Sequence, residues 1–491
     1  MDGEAGMSDA ATDGGLGELA AAAHDRHVVV VGGGIAGIVA ALECAKVGLR
    51  VTLVEASGSL GGNLRTIEVA GLPLGAAVDG WSTRGAAVRA LAAELGLAEQ
   101  VVAANETQTW IAGLPEGAAP LPAETVAGIP ANPWDEGVRR IIGWSGTWRA
   151  YVDRLRPPLT IGKERSLGAL VRSRMGDAVL DRMVAPVSLG VYGTHPDDLD
   201  VEAVAPGLST ALTRTGSLSG SVADLLVDRP AGSGLEGIVG GMSRLVAAAQ
   251  ARLDDLGVEI VLGRAATRLE RLADGRWWVE LDGESEDAPA LDPAPDLVVA
   301  VPEADARRLL APVVPVLDAA VRSAHPVEVV TLVVDAPQLD GSRGAVYPVA
   351  GASRAAGVVD ATARWPWLPV LAEGDRILRV SFGTGTAPAA TADLDDAGAS
   401  ALAAQEASAL LDAPIARIRG AARERFAPPV PASLRGHAES AAAVRAAVHA
   451  VPGLAAVGGW LAGSGLAQVV PDALEEAERV RRRALFGGGA T

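Results

Sequence analysis

The hydrophobic pattern of residues 27–56 is that of two buried strands joined by a helix. Four consecutive valines at 28–31 and a second apolar run at 50–54 have the composition of parallel strands that are covered on both faces. The Ala-rich stretch between them, which runs to about Val47, predicts a helix. A strand, a helix and a strand in this order predict the start of a parallel α/β sheet.

The pattern becomes mostly helical and irregular in residues 100–227. The stretch SLGALVRSRMGDAVLDRMVAP within it predicts two helices. Ser166 would cap the first helix and Gly176 would end it. Asp177 would cap the second helix and Pro186 would end it.

A long uncharged stretch lies near the C-terminus, at residues 450–471. Roughly 20 apolar residues are enough to cross a bilayer as a helix. Five glycines and Pro452 disfavour such a helix, because each interior glycine costs about 1 kcal/mol relative to alanine and an interior proline about 3. The pattern instead predicts a short buried strand, a glycine-rich turn and a helix that starts at Leu466, so we expect no transmembrane segment.

Composition and charge narrow the classes of function. Of the 491 residues, 49% are hydrophobic and 21% are charged, as in a packed protein of two or three domains. The net charge of −18 argues against nucleic acid as a partner. Cys44 is the single cysteine and the first 25 residues are acidic without a signal-peptide pattern, so we expect a cytoplasmic protein. The histidines show no metal-binding spacing, and no metal is expected.

Glycines at fixed spacing follow the first predicted strand. Gly32 would allow a tight turn, Gly34 would let the backbone approach a pyrophosphate, and Gly37 would let helix and strand pack closely. The N-terminus of the helix would attract the phosphate charge. Glu55, at the end of the second strand, can accept hydrogen bonds from both hydroxyls of a ribose. This order of elements predicts dinucleotide binding.

The residues after Glu55 extend this pattern. Gly61 and Gly62 resemble the second glycine pair of the FAD-dependent amine oxidase and desaturase superfamily. From about His27 to Arg482 the chain resembles, more narrowly, the flavin-dependent porphyrinogen oxidases, which comprise protoporphyrinogen oxidases and coproporphyrinogen III oxidases. The stretches that carry this resemblance, beyond the glycines, are 166–199, GIVGGMSRL, DLVVAVP, RILRVSFG, LRGH and the uncharged stretch 450–471.

The resemblance implies an oxidoreductase of haem biosynthesis that binds FAD non-covalently. Such an enzyme moves hydride from a porphyrinogen to flavin N5 and is reoxidised by O₂. Coproporphyrinogen III is favoured over protoporphyrinogen IX, because relatives that act on the latter associate with membranes and the net charge is acidic. A hand-off of product to a ferrochelatase stays open. Two alternatives also stay open: an amine oxidase or desaturase type of flavoenzyme, and an FAD-binding paralogue without catalysis.

The resemblance also assigns site residues. Ala266 falls where the family has a valine whose backbone contacts adenine. The C-terminal element beside the flavin ring is matched by Gly459, Gly465, Leu466 and Ala467. The candidate substrate residues are cations for the propionates and aromatic rings for the tetrapyrrole face, namely Arg84, Arg65, Arg379, Tyr347 and Trp110. No catalytic residue is assigned, because positioning and the flavin itself carry most of the chemistry.

Three positions depart from the family pattern. Ser59 stands where an arginine often precedes the second glycine pair. Ala77 stands in place of an acidic residue, and Ser433 stands in place of a tyrosine. His437 is retained, and we expect a structural role for it. The departure at Ser59 leaves the phosphate site one cation poorer, whereas those at Ala77 and Ser433 bear on the identity of the substrate more than on FAD binding.

The expected fold is α/β, with a discontinuous Rossmann-like FAD-binding domain, a mixed α+β substrate domain and a helical insertion. The predicted segments are a leader at 1–25, FAD-binding parts at 26–75, 231–304 and 423–491, substrate-domain parts at 76–98 and 305–422, and a helical middle domain at 99–230. In the middle domain Trp144, Trp148 and Tyr151 share one side of a helical stretch. Ordinary packing, a lid over the substrate and contact with a membrane surface are the interpretations left open there.

Overall fold

The computed structural model describes residues 25–76, 78–156, 165–227, 234–283, 290–318, 325–385, 387–427 and 431–486, so all but the last residue of the predicted leader lies outside it. The strands are β1 His27–Val31, β2 Arg50–Glu55, β3 Thr66–Val69, β4 Leu72–Gly75, β5 Trp81–Ser82, β6 Val101–Ala103, β7 Thr109–Leu114, β8 Gly117–Pro120, β9 Thr125–Val126, β10 Ile129–Pro130, β11 Leu235–Ile238, β12 Glu259–Leu262, β13 Ala266–Arg271, β14 Trp277–Leu281, β15 Asp296–Val299, β16 Val327–Asp335, β17 Ala345–Pro348, β18 Gly357–Asp360, β19 Arg376–Phe382, β20 Arg417–Phe426 and β21 Leu454–Ala456. The helices are α1 Ile35–Lys46, α2 Ala86–Glu94, α3 Glu136–Tyr151, α4 Leu167–Met175, α5 Asp177–Val179, α6 Ala185–Tyr192, α7 Val201–Val204, α8 Leu208–Thr215, α9 Leu218–Val227, α10 Ser243–Asp255, α11 Glu303–Leu310, α12 Ala361–Arg364, α13 Leu368–Leu371, α14 Asp396–Leu411, α15 His437–His449, α16 Gly459–Ala462 and α17 Leu466–Phe486.

A five-stranded parallel sheet carries the first glycine turn. Its strand order is β12-β2-β1-β15-β21, and every neighbouring pair runs parallel. All five residues of β1 are buried, because α1 and α17 pack on one face of the sheet and β13, β14 and α11 on the other. The strands come from three stretches that lie far apart in the chain. The predicted discontinuous Rossmann-like unit is therefore confirmed.

A seven-stranded sheet forms the second large unit, in the order β20-β16-β19-β18-β17-β7-β8. Its strands pair antiparallel, except for the parallel pair of β17 and β7. Helix α14 covers one face, over alternate residues of β16 and β19. This sheet confirms the predicted mixed α+β part of the fold. β7 and β8 join it although the sequence pattern placed them in the middle segment, and the domain boundaries stay a prediction.

The helices α3 to α9 share a core of their own. As predicted, the Ser166 hydroxyl caps α4 by accepting a hydrogen bond from the Ala169 N–H at 3.1 Å, and Gly176 follows the last turn with φ +91°. The prediction for Pro186 is wrong, because the chain continues through a π-helix at 180–184 into α6. The wider π turn just before Pro186 accommodates its ring and its missing N–H. The Asp177 side chain makes no capping hydrogen bond.

The uncharged stretch 450–471 folds as β21, α16 and the start of α17. The predicted strand, glycine turn and helix are therefore confirmed. Pro471 lies inside α17, in its second turn. No helix in the described part of the chain is long and apolar enough to cross a membrane.

Two tryptophans of α3 lie at the surface. Trp144 is 64% exposed and Trp148 is 58% exposed, so ordinary core packing is wrong for both. Trp134 packs edge-to-face against Trp148 and Tyr151, with ring centroids 4.9 and 5.6 Å apart. The interpretations as a lid or as a membrane contact stay open.

We predict that Gly37→Ala destabilises the fold and that Gly58→Ala, its matched control, does not. A Cβ at Gly37 would lie 1.8 Å from the carbonyl oxygen of Gly32, whereas a Cβ at Gly58 meets no atom within 4 Å. Overpacking of this severity costs about 3 kcal/mol or more. The midpoint of thermal unfolding, followed by circular dichroism, should fall only for Gly37→Ala. An unchanged midpoint would contradict the close packing of α1 on the turn.

Candidate functional site

The turn between β1 and α1 is held by backbone contacts and by one carboxylate. Gly32 has φ +110°, and a Cβ there would lie 2.6 Å from the carbonyl oxygen of Ala300. Glu55 accepts a hydrogen bond from the Gly33 N–H at 2.7 Å through Oε2. Its Oε1 accepts hydrogen bonds from the backbone N–H and the hydroxyl of Ser57, at 2.8 and 2.7 Å. These bonds fix the carboxylate at the end of β2, where it remains partly exposed to a ligand hydroxyl.

The second glycine pair lies against the first turn. The Gly61 N–H donates to the carbonyl oxygen of Gly33 at 2.8 Å, and Gly61 has φ +114°. A Cβ at Gly34 would meet no atom within 4 Å, and a Cβ at Gly62 would meet only the Cα of Gly34, at 3.4 Å. Two stretches of bare backbone therefore border one open space. That space fits the close approach of a pyrophosphate.

The C-terminal glycines lie at the same edge of the sheet as the first glycine turn, because the residue Val301, which follows β15, lies close to both. The Val301 side chain lies 3.1 Å from the Cβ position of Gly32, and its carbonyl oxygen lies 3.9 Å from that of Gly458. Gly458 itself has φ +126°. The predicted flavin-ring residues follow directly: Gly459 starts α16, and Leu466 starts α17. Carboxyl ends of parallel strands share one edge, so three distant stretches meet there.

Ala266 lies near Glu55, on the side of the site away from the C-terminal glycines. It is buried at the start of β13, and its carbonyl oxygen accepts a hydrogen bond from Arg308 Nη2 at 3.2 Å. The Arg264 N–H, two residues earlier, donates to the carbonyl oxygen of Glu55 at 3.1 Å. The residues present fit a dinucleotide whose adenosine end lies at Glu55 and Ala266 and whose other end lies at α17.

Arg379 lies on the face of the seven-stranded sheet opposite α14 and is 6% exposed. Its Nη1 donates to the Thr331 hydroxyl at 2.5 Å, and its Nη2 donates to Oδ1 of Asp79 at 2.9 Å. Its Nε has no hydrogen-bond partner among the described residues. Sequence reasoning missed Asp79. The signal that could have pointed to Asp79 is its position two residues after Ala77, where the family pattern has an acidic residue. Ala77 lies outside the described residues.

The two other candidate arginines differ in their partners. Arg65 forms a salt bridge with Glu424, and its guanidinium lies 5.7 Å from the ring centroid of Phe426. Arg84 is exposed and has no carboxylate partner among the residues that the structure describes. It immediately precedes Gly85, whose Cβ position lies 3.1 Å from the carbonyl oxygen of Ala467. Arg84 is therefore the candidate cation left unpaired beside the start of α17.

Tyr192 is a second residue that the sequence did not single out. It ends α6, and its ring packs on the core of the helical middle part. Burial raises the pKa of Tyr192 above its usual range, and the positive charge of Arg84 opposes that rise.

Tyr347 and Trp110 lie on opposite faces of the seven-stranded sheet. Tyr347 is 8% exposed and packs against Gly190 of α6, on the same face as Arg379. Trp110 packs instead on the core beneath α14, and the guanidinium of Arg343 lies 4.6 Å from its ring centroid. The structure does not bring Trp110 together with the other substrate candidates. The reason is the strand register: Trp110 of β7 pairs with Val346 of β17, and the Val346 side chain points to α14.

Ser59, Ser433 and the retained His437 all make hydrogen bonds within the protein. Ser59 is exposed, and its carbonyl oxygen accepts a hydrogen bond from the Ser57 hydroxyl at 2.8 Å. Ser433 is buried, and its carbonyl oxygen accepts from the Asp200 N–H at 2.7 Å. His437 Nε2 lies 3.0 Å from the carbonyl oxygen of Leu461, which links the start of α15 to α16. These contacts support a structural role for His437.

Among curated proteins, the chain is similar to coproporphyrinogen III oxidases. A coproporphyrinogen III oxidase of Propionibacterium freudenreichii subsp. freudenreichii is 32% identical over 183 residues, which are 37% of this chain and 34% of that protein. A coproporphyrinogen III oxidase of Bacillus subtilis (strain 168) is 30% identical over 215 residues, which are 43% and 45% of the two chains. The matched region thus spans less than half the length of these curated relatives.

The fold and the family have broader support. A crystal structure from Exiguobacterium sp. 255-15, of a protein named as a candidate protoporphyrinogen oxidase, aligns with a TM-score of 0.80 and 24% identity over 93% of this chain and 98% of that one. This likeness confirms the predicted fold class. The sequence profile of the family described as flavin containing amine oxidoreductase matches residues 35–480. The predicted flavin-dependent oxidoreductase is thereby confirmed, and the chain belongs to the flavin containing amine oxidoreductase family.

Proposed function

We propose that this protein is an FAD-dependent, O₂-using oxidase of porphyrinogens in haem biosynthesis, with coproporphyrinogen III favoured over protoporphyrinogen IX. The observation that carries the proposal is the position of Arg84, a cation without a carboxylate partner in the described part of the chain, beside the start of α17. A substrate with four carboxylates suits such a cation. The relatives named coproporphyrinogen III oxidase support the same substrate class.

FAD would be held by contacts with three parts of the site, one for each part of its adenosine diphosphate portion. Glu55 would accept hydrogen bonds from the ribose, the backbone at Gly34 and Gly62 would border the pyrophosphate, and Ala266 would lie by the adenine. Cys44 is the single cysteine, is fully buried in α1, and has a pKa that burial raises to about 12. A buried, protonated thiol is a poor nucleophile, so Cys44 does not favour a thioether link to the flavin, and we propose non-covalent binding.

FAD, when bound, would supply the hydride acceptor for oxidation of a meso carbon and the reactivity with O₂. The protein positions the reactants. The N-terminus of α17 would place a partial positive charge beside the ring system of the flavin and so stabilise negative charge on it. Arg84 would bind a propionate and so fix the orientation of the tetrapyrrole. Tyr347, buried against α6, would help to keep water away from the reacting carbon.

The alternative functions predict different activities in an assay with both porphyrinogens. A protoporphyrinogen IX oxidase would form only protoporphyrin, and an amine oxidase or desaturase would turn over neither porphyrinogen. A non-catalytic paralogue would bind FAD without turnover. A cytoplasmic location and a hand-off of product to a ferrochelatase belong to the same proposal; the first is supported by the acidic charge and the single cysteine.

We predict that Gly34→Ala folds normally but does not bind FAD. Gly34 has φ −71° and ψ 175°, which alanine adopts readily, and the added Cβ meets no protein atom within 4 Å. The methyl group would enter the space proposed for the pyrophosphate. The FAD content after reconstitution, measured by visible absorbance, should fall about tenfold or more, with the thermal midpoint of the apoprotein unchanged. Gly58→Ala is the control, and a normal flavin content in Gly34→Ala would contradict the placement.

We predict that Arg84→Met weakens binding of coproporphyrinogen III. A hydrogen bond to a charged group contributes about 1.5–3 kcal/mol, so KM should rise about 10- to 100-fold while flavin content stays normal. The assay is the fluorescence of the porphyrin product, with both porphyrinogens as substrates. Arg140→Met, an exposed arginine of α3, is the matched control and should leave KM unchanged.

Two results would count against these proposals. A yellow wild-type protein that forms neither porphyrin would contradict the proposed activity. An unchanged KM in Arg84→Met, with active wild-type enzyme, would contradict only the role given to Arg84.

A further inference from the structure

An ion pair joins the loop between β4 and β5 to the seven-stranded sheet. Arg379 of β19 donates to Oδ1 of Asp79 at 2.9 Å, and its Nη1 contacts the Thr331 hydroxyl at 2.5 Å and the carbonyl oxygen of Ala76 at 3.4 Å. These contacts fix the guanidinium. The Asp79 side chain is 21% exposed, and its second carboxylate oxygen accepts no hydrogen bond from the described residues.

The loop runs between the two ends of the flavin site. At one end the Ala76 N–H donates to the carbonyl oxygen of Arg65 at 3.0 Å, three residues after Gly62. At the other end Gly85 lies against Ala467 at the start of α17. Asp79 lies between these ends and is bonded to the substrate sheet. Asp79 is therefore on the loop that links the proposed flavin site to the seven-stranded sheet.

The pair is poorly suited to bind a carboxylate. A propionate brought to Arg379 would meet the negative charge of Asp79 at close range. Nε of Arg379 is buried, so the atom of the pair that a ligand can reach is an acceptor, the second oxygen of Asp79. This arrangement suits a neutral ligand face that carries N–H groups. Arg379 is thus a positioning residue for Asp79, in place of the propionate anchor that the sequence suggested.

We propose that Asp79 accepts hydrogen bonds from the pyrrole N–H groups of the porphyrinogen and takes the proton that leaves the ring during oxidation. This inference rests on the proposed function. When a meso C–H bond breaks, its electron pair leaves as hydride to the flavin, which O₂ reoxidises. An adjacent pyrrole N–H bond also breaks; its electrons stay in the ring as new conjugated double bonds, and the proton forms an O–H bond on Asp79. Solvent at the exposed side of the carboxyl group then removes the proton.

Kinetics of Asp79→Asn test the proton transfer. The amide keeps the shape and one acceptor oxygen but cannot take a proton, so kcat for the porphyrinogen should fall about 100-fold or more, with KM changed by less than about threefold. Asp335→Asn is the matched control, since Asp335 ends β16 and pairs with Arg419 instead of with Arg379. An unchanged kcat in Asp79→Asn would overturn the proposal. A loss of thermal stability and flavin content that accounts for the whole fall would also overturn it, by showing a purely structural pair.

Ligand binding tests the acceptor role without turnover. Free-base coproporphyrin III carries N–H groups, whereas its square-planar palladium(II) complex carries none. Quenching of tryptophan fluorescence should show about tenfold tighter binding of the free base by the wild type, and equal binding of both by Asp79→Leu. Equal binding of both by the wild type would overturn the inference. An enzyme that discriminates between these ligands yet oxidises no porphyrinogen would contradict the proposed function and leave the acceptor site intact.

Discussion

Close contact between stretches of bare backbone is the constraint on which the proposed flavin site depends. The Gly61 N–H is bonded to the carbonyl oxygen of Gly33, and α1 packs on the turn after β1 without room for a Cβ at Gly37. Parallel strands end at one edge of their sheet, so the turns after β1 and β21 meet there although they are distant in the chain. Side chains at these glycines would separate the turns and fill the space between them.

The substrate side depends on how charges are already paired. In a chain with a net charge of −18, an anionic substrate must be met by local cations. Glu424 neutralises Arg65 and Asp79 neutralises Arg379, so neither keeps a free charge for a propionate. Arg84 has no carboxylate partner among the described residues, and it lies next to the start of α17, where the C-terminal part of the flavin site is proposed. The same pairings leave the second oxygen of Asp79 available for a different task.

The sequence predicted those features that are local in the chain. Strand β1, the glycine turn and Glu55 follow from a short-range pattern, and the Gly-rich turn before α17 was predictable because its glycines disfavour a membrane helix. The end of the helix at Pro186 was predicted wrongly, because a π turn that no local rule signals absorbs the proline. The face on which Trp110 lies and the pairing of Asp79 depend on strand register and on contacts between distant segments, which periodicity does not encode.

Anaerobic mixing of the FAD-loaded protein with coproporphyrinogen III tests the proposed activity most directly. Hydride transfer from the substrate should bleach the visible absorbance of the flavin before any O₂ is present. Admission of O₂ should then restore the absorbance and release fluorescent coproporphyrin III. A flavin spectrum that stays unchanged in the presence of the porphyrinogen, in protein that a chemical reductant still bleaches, would contradict the proposal.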